Sequence, residues 1–170
     1  MNTDATYTVV TDGACSANGT ETARGGWAAI ITTPDGKEIV ITGGASKTTN
    51  NRMELIAALE GLATAPRGSN VELITDSSYV SKAITDGWLD SWQKRGWKTA
   101  GRKPVKNRDL WERMIIELMR LGTVAPTLVK GHAGHDANER ADVLAVQAAQ
   151  EDWPDDTIPQ EPAQLGFDVD

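Results

Sequence analysis

The sequence offers almost no sulfur or imidazole chemistry. Its one cysteine, Cys15, cannot close an internal disulfide, and the only other soft metal ligands are two histidines, His132 and His135. That supply excludes a disulfide-stapled secreted fold and disfavours a four-ligand zinc site. No apolar run approaches the ~20 residues that a membrane helix needs. The opening MNTDATYTVV lacks the basic and apolar regions of a secretory signal, so the cytoplasm is the expected compartment. No internal repeat is present. Phenylalanine occurs once and tyrosine twice, against six tryptophans, four of which fall at 88, 92, 97 and 111. A chain of 170 residues suffices for one sizeable core and not for two.

Base is missing from one stretch and acid from another. Residues 151–170 hold seven acids, three prolines and no Lys or Arg, which equals the whole net charge of −7 and leaves the remainder electroneutral. Within that remainder, residues 94–108 hold seven bases and no acid. The body is polarised rather than acidic, which points to a polyanionic partner meeting one side of it. The last twenty residues are expected to form an acidic, poorly ordered tail on a single domain of residues 1–150.

The hydrophobic pattern starts with period two and then changes. Tyr7–Thr11, Trp27–Thr33 and Lys37–Thr42 read as three antiparallel strands, the first ending in an Asp12-Gly13 turn and the last two joined through Pro34-Asp35-Gly36. A loop from Ala14 to Gly26 follows the first. From Asn51 to Ala65 the apolar residues recur at helical spacing, stopping before Pro66. A strand over 71–75, helices over 77–84 and 107–121, a strand over 127–129 and a helix over 137–150 complete the expected order. This is an α/β protein: a mixed five-stranded sheet, three antiparallel strands and then parallel ones, flanked by helices. Ligands of such sheets bind beyond the carboxyl ends of the parallel strands.

Four acids fall near that end. Asp12 and Asp76 each close a strand, Glu54 lies in the first turn of the helix after the meander, and Asp142 lies early in the last helix. Each has a purely structural explanation: a turn for Asp12, a capping box with Asn51 for Glu54, a helix cap for Asp76, a solvated face for Asp142. Four carboxylates gathered at one sheet end, however, repel one another unless cations neutralise them. Hard oxygen ligands suit Mg²⁺, with Mn²⁺ as its substitute, and two such ions suit phosphodiester hydrolysis. The glycines around His132 and His135 fit a mobile loop better than a rigid ligand frame.

These residues sit in motifs that resemble those of bacterial type 1 ribonuclease H. The motifs are Thr11-Asp12-Gly13, Thr49-Asn50-Asn51-Arg52-Met53-Glu54-Leu55, Thr75-Asp76-Ser77, Lys130-Gly131-His132-Ala133-Gly134-His135 and Asn138-Glu139-Arg140-Ala141-Asp142. With the Trp92–Thr99 segment they run in order over about residues 5–150, and six in sequence are highly specific. The resemblance implies an endonuclease that hydrolyses the RNA strand of RNA–DNA hybrids, leaving 5′-phosphate and 3′-hydroxyl ends. It implies Asp12, Glu54, Asp76 and Asp142 as ligands of two Mg²⁺ ions, with His132 assisting proton transfer or product release. Asn18, Asn50, Asn51 and Ser78 would read the minor groove of the hybrid. Lys47, Thr49 and Asn107 match positions that hold a DNA-strand phosphate. The segment from Trp88 to Lys106 corresponds to a basic protrusion gripping the DNA strand, with Trp88, Trp92, Lys94, Arg95, Lys98 and Lys106 as its contacts.

A monomer without membrane attachment or obligate protein partner is the matching expectation. Two rival readings remain: a DNA-strand nuclease of the same fold, and a catalytically inactive hybrid-binding module. Three departures from the family pattern stand out. The 14–26 loop is longer than usual and carries Glu21 and Arg24, Ser78 stands where many bacterial members have Gln, and the acidic tail matches nothing in the pattern.

Overall fold

The computed structural model describes residues 5–130 and 136–158. Five strands, β1 (Thr6–Ser16), β2 (Arg24–Thr32), β3 (Glu38–Ser46), β4 (Asn70–Thr75) and β5 (Val124–Leu128), form one sheet in the order β3-β2-β1-β4-β5. β1–β2 and β2–β3 pair antiparallel, and β1–β4 and β4–β5 pair parallel, as the change of period predicts. The helices are α1 (Asn50–Thr64), α2 (Ser78–Thr85), α3 (Trp88–Lys94), α4 (Arg108–Arg120) and α5 (Asp136–Ala149). No helix among the described residues is long and apolar enough to cross a membrane.

Alternation along the central strand divides the core between the two faces of the sheet. Val9 belongs to the larger cluster, with Leu55, Leu59 and Leu62 of α1 and Leu110, Trp111 and Met114 of α4. Val10, its neighbour, packs on the other face with Ile30, Ile74 and Ala141 of α5. Gly26 lets α5 close on that face, because a Cβ there would lie 2.3 Å from both the Ala145 carbonyl oxygen and the Ala149 nitrogen.

Several expectations are corrected. No turn occurs at Asp12-Gly13: β1 runs straight through it, with Asp12 opposite Ala28 and Gly13 opposite Trp27. The ladder continues to Ser16 opposite Arg24, so the connecting loop shrinks from 14–26 to residues 17–23. Asp-Gly has turn propensity, but a long partner strand satisfies its backbone groups better than a reversal would. The short helix α3 lies within the stretch expected to form the basic protrusion, where no helix is expected from the sequence. Its Leu89 is buried, while Trp88 and Trp92 pack half-buried against the core.

The segment after Gln150 is not loose over its first eight residues. Trp153 donates its indole N–H to the Ala148 carbonyl at 2.7 Å, and Ser46 exchanges backbone hydrogen bonds with Pro154 and Asp156. Asp156 then reaches the buried guanidinium of Arg52 at 2.8 Å. An acid-rich, Pro-punctuated composition predicts solvation only when nothing in the body demands the acid. Arg52, 2% exposed, demands it. Residues 159–170 of the expected tail lie outside the described residues.

Candidate active site

Three of the four carboxylates converge at one end of the sheet. Oxygens of Asp12, Glu54 and Asp76 all lie within 4.8 Å of one another. Asp12 stands just past the last parallel pair, Val10 opposite Ile74, and Asp76 directly follows β4. Glu54 is the fifth residue of α1. Gly13 brings that helix onto the strand: a Cβ there would meet the Glu54 nitrogen at 2.5 Å, so only glycine permits the approach. Its amide then donates to Asp12 Oδ1 and to Glu54 Oε1, each at 2.9 Å. Asp142, in the second turn of α5, follows Ala141, which packs on Val10. Its side chain reaches Asp12 from the same face of the sheet.

The structural explanations for these acids fail individually. Asp12 serves no turn. The N-cap of α1 is Thr49, whose hydroxyl accepts from the Arg52 N–H at 3.1 Å, so Glu54 and Asn51 form no capping box. Ser77 caps α2, accepting from the Val80 N–H at 3.2 Å, so Asp76 does not. Asp142 is half-buried rather than on a solvated face.

Electrostatics agrees. Burial foremost, then the charge of Asp12, pushes the Glu54 carboxyl up to about 10. Burial likewise raises Asp12 to about 7, with Asp76 and Asp142 adding to it against the hydrogen bonds from Glu54 and Gly13. Glu54 Oε2 is buried, and no donor reaches it among the described residues. An acceptor left bare beside other carboxylates, all of them hard oxygen donors, fits a divalent cation and not a structural hydrogen bond. Asp12, Glu54 and Asp76 could hold such an ion, with Asp142 beside them.

The expected substrate residues fall into two groups. Around the start of α1, Asn18 Oδ1 accepts from the Asn50 N–H at 2.7 Å, which ties the 17–23 loop to that helix. Asn50, Asn51 and Ser78 are exposed at helix starts. Lys47 has a left-handed backbone, φ 53°, and pairs with Asp155 at 3.2 Å and Glu21 at 3.5 Å. Thr49 and Asn107 are half-buried and both bonded to Arg52. The second group lies around α3. Trp88 and Trp92 stack at a tilt, 5.9 Å apart, and Trp92 leans on Trp111 at 5.6 Å. Lys94, Arg95 and Lys106 are exposed, and Lys98 is half-buried.

The basic stretch is not free of acid, as its sequence suggests. Asp90 pairs with Lys94 at 2.9 Å and Glu112 pairs with Arg108 at 2.7 Å, each one turn away in the same helix. His132 lies outside the described residues.

Sequence reasoning missed Arg52, Asp109, Asp156 and Tyr79. Arg52 donates to Asp109 at 3.0 and 2.9 Å, to Asp156 and to Asn107, and Tyr79 accepts from Asn107 and Trp111. One available signal was an arginine on the buried face of an otherwise apolar helix.

Comparison with known proteins adds the relatives. A family model described as RNase H matches residues 4–150. A protein named Ribonuclease H from Nitratidesulfovibrio vulgaris is 49% identical over 150 residues, 88% of this chain and 93% of the relative. Another of that name, from Thermus thermophilus, is 49% identical over 152 residues, 89% of each chain. Among solved structures, a type 1 RNase H with the type 2 active-site motif superposes with a TM-score of 0.72 at 31% identity. The match covers 85% of this chain and 72% of that one.

Proposed function

This chain belongs to the RNase H family, and we propose that it cleaves the RNA strand of RNA–DNA hybrids through divalent-metal chemistry at Asp12, Glu54, Asp76 and Asp142. The observation that carries this reading is the carboxylate cluster, with oxygens of Asp12, Glu54 and Asp76 within 4.8 Å of one another and Glu54 Oε2 buried with no donor among the described residues. When bound, two Mg²⁺ ions at such a site supply an activated water and charge stabilisation for the leaving oxygen, the products being 5′-phosphate and 3′-hydroxyl ends. The protein's own part is to hold four ligands in place from three separate packing contacts, so that little reorganisation is needed at reaction. Gly13 fixes α1 against β1, Ser77 starts α2 one residue after Asp76, and Gly26 seats α5.

His132, four residues before α5 in the sequence, is the residue we assign to proton transfer or product release. Asn18, Asn50, Asn51 and Ser78 would face the minor groove, where 2′-hydroxyls distinguish RNA from DNA. Lys47, Thr49 and Asn107 would hold a DNA-strand phosphate, and the α3 region would extend that grip. A cytoplasmic monomer using Mg²⁺ completes the reading.

A three-substrate assay tests it: one hybrid, one DNA duplex and one RNA duplex of the same sequence, with and without Mg²⁺. Cleavage confined to the RNA of the hybrid and abolished by EDTA is expected. Cutting of the DNA duplex would favour the DNA-strand nuclease instead. Tight hybrid binding with no cleavage in any divalent metal would leave only a binding module.

A further inference from the structure

The polar groups around Arg52 form a network whose hydrogen-bond directions are settled by chemistry alone. Arg52 and the Trp111 indole can only donate, and ionised Asp109 and Asp156 can only accept. Arg52 donates to Asn107 Oδ1 at 3.2 Å, so the carboxamide must turn its nitrogen the other way. That nitrogen donates to Tyr79 Oη at 3.0 Å, and the Trp111 Nε1–H donates to the same oxygen at 2.9 Å. Tyr79 Oη therefore uses its acceptor capacity on two groups that cannot reverse roles. Its own proton has no acceptor among the described residues, and neither has the second Nδ2 proton of Asn107. Two unspent donors thus sit on atoms 3.0 Å apart, on side chains that are half-buried.

We propose that Tyr79 is a further substrate-binding residue, its hydroxyl donating to the same DNA-strand phosphate that Asn107 holds. The proposal rests on the reading of Asn107 as a phosphate contact. Two N–H donations onto Oη polarise its O–H bond and make it a better donor to an anion. Asp156 and Asp109 hold the guanidinium that orients the carboxamide, so the segment after α5 sets the polarity of the pair. Tyr79 also stands three residues after Asp76, at the start of α2. One helix start therefore relates the phosphate contact to the carboxylate cluster.

The test is a methylphosphonate scan: the full chain, without divalent metal, titrated with hybrids carrying one uncharged linkage stepped along the DNA strand. Wild type should lose affinity sharply at one position, and Asn107→Ala should identify that position by losing the penalty there. Tyr79→Phe keeps the ring that packs on Trp111 at 5.2 Å and should bind the unmodified hybrid roughly tenfold more weakly. It should also show a reduced penalty at that position. O-methyltyrosine at position 79 keeps the oxygen as an acceptor but removes its proton, and should behave like Tyr79→Phe with the fold's own bonds intact. Full wild-type sensitivity in O-methyltyrosine or Tyr79→Phe would overturn the proposal and leave the hydroxyl a purely structural acceptor. No position coupled to Asn107 would overturn the phosphate reading itself, and the proposal with it.

Discussion

Replacing Asp156 by Asn should lower the melting temperature by several degrees, although Asp156 lies in an acid-rich segment after the last helix. Its carboxylate is 7% exposed and accepts from Arg52 Nε at 2.8 Å, Arg52 NH2 at 3.2 Å and the Thr48 hydroxyl at 2.6 Å. An amide supplies one acceptor where these donors need two, and turns an N–H toward a donor. Removing one partner from a buried ion pair costs about 3–5 kcal/mol. Arg52 keeps its two bonds to Asp109, so the cost falls to the bottom of that range or below it, about 2–3 kcal/mol. At about 2–4 °C per kcal/mol for a domain of this size, the loss is about 4–12 °C. Asp152→Asn is the control, in the same segment with the same chemistry, but its carboxylate is fully exposed beside Arg24 and its loss should leave the melting temperature unchanged. Thermal unfolding by circular dichroism at pH 7 compares them. Equal melting of Asp156→Asn and wild type would refute the claim that Arg52 depends on this segment. Equal destabilisation by both variants would reduce it to a general charge effect.

Asp76→Asn should cost several orders of magnitude in hybrid cleavage under saturating Mg²⁺ while the metal-free protein melts no lower than wild type, since a repelling charge is lost; near wild-type rates would remove Asp76 from the ligand set. In EDTA, the melting temperature of Glu54→Gln relative to wild type should rise from pH 5 to pH 9. Asp12 and Glu54 hold protons in the fold up to about 7 and about 10 that the unfolded chain releases near 4, so their stabilising contribution is complete below pH 4 and is lost as pH climbs through that window. A difference independent of pH would contradict the raised values. The double variant Asp155→Asn, Glu21→Gln should tighten hybrid binding at low salt by releasing Lys47 from both its acids, with the gain vanishing at high salt; unchanged titrations would show that Lys47 meets no phosphate. The triple variant Lys94→Ala, Arg95→Ala, Lys98→Ala should raise KM with kcat within a few-fold, and flatten the log affinity–log salt slope by up to about three. A slope and KM equal to wild type would place the DNA grip elsewhere.

The order and type of the main elements were legible because burial periodicity is local: period two through the meander, helical spacing at Leu55, Leu59 and Leu62, and again at Leu110 and Met114. The carboxylates were legible because each sits in a short motif beside the strand or helix that carries it. What local pattern misjudged were roles that depend on a distant partner. Asp12-Gly13 has the chemistry of a turn, yet β2 extends its ladder through it, and Gly13 is there for the approach of α1. Asp76 and Glu54 have the chemistry of helix caps, yet Ser77 and Thr49 fill those positions.

By itself, then, the sequence determined the α/β class, the strand and helix order and the identity of the four acids, since patterning and composition act through neighbours along the chain. Only the tertiary structure decided that the acids after Gln150 are partly structural, with Asp156 against Arg52, and that Tyr79 and Asn107 are left with donors to spare among the described residues. Each of those facts depends on which groups meet across more than twenty residues of chain. There a buried charge or amide must find a partner, and nothing in its local sequence names the one it finds.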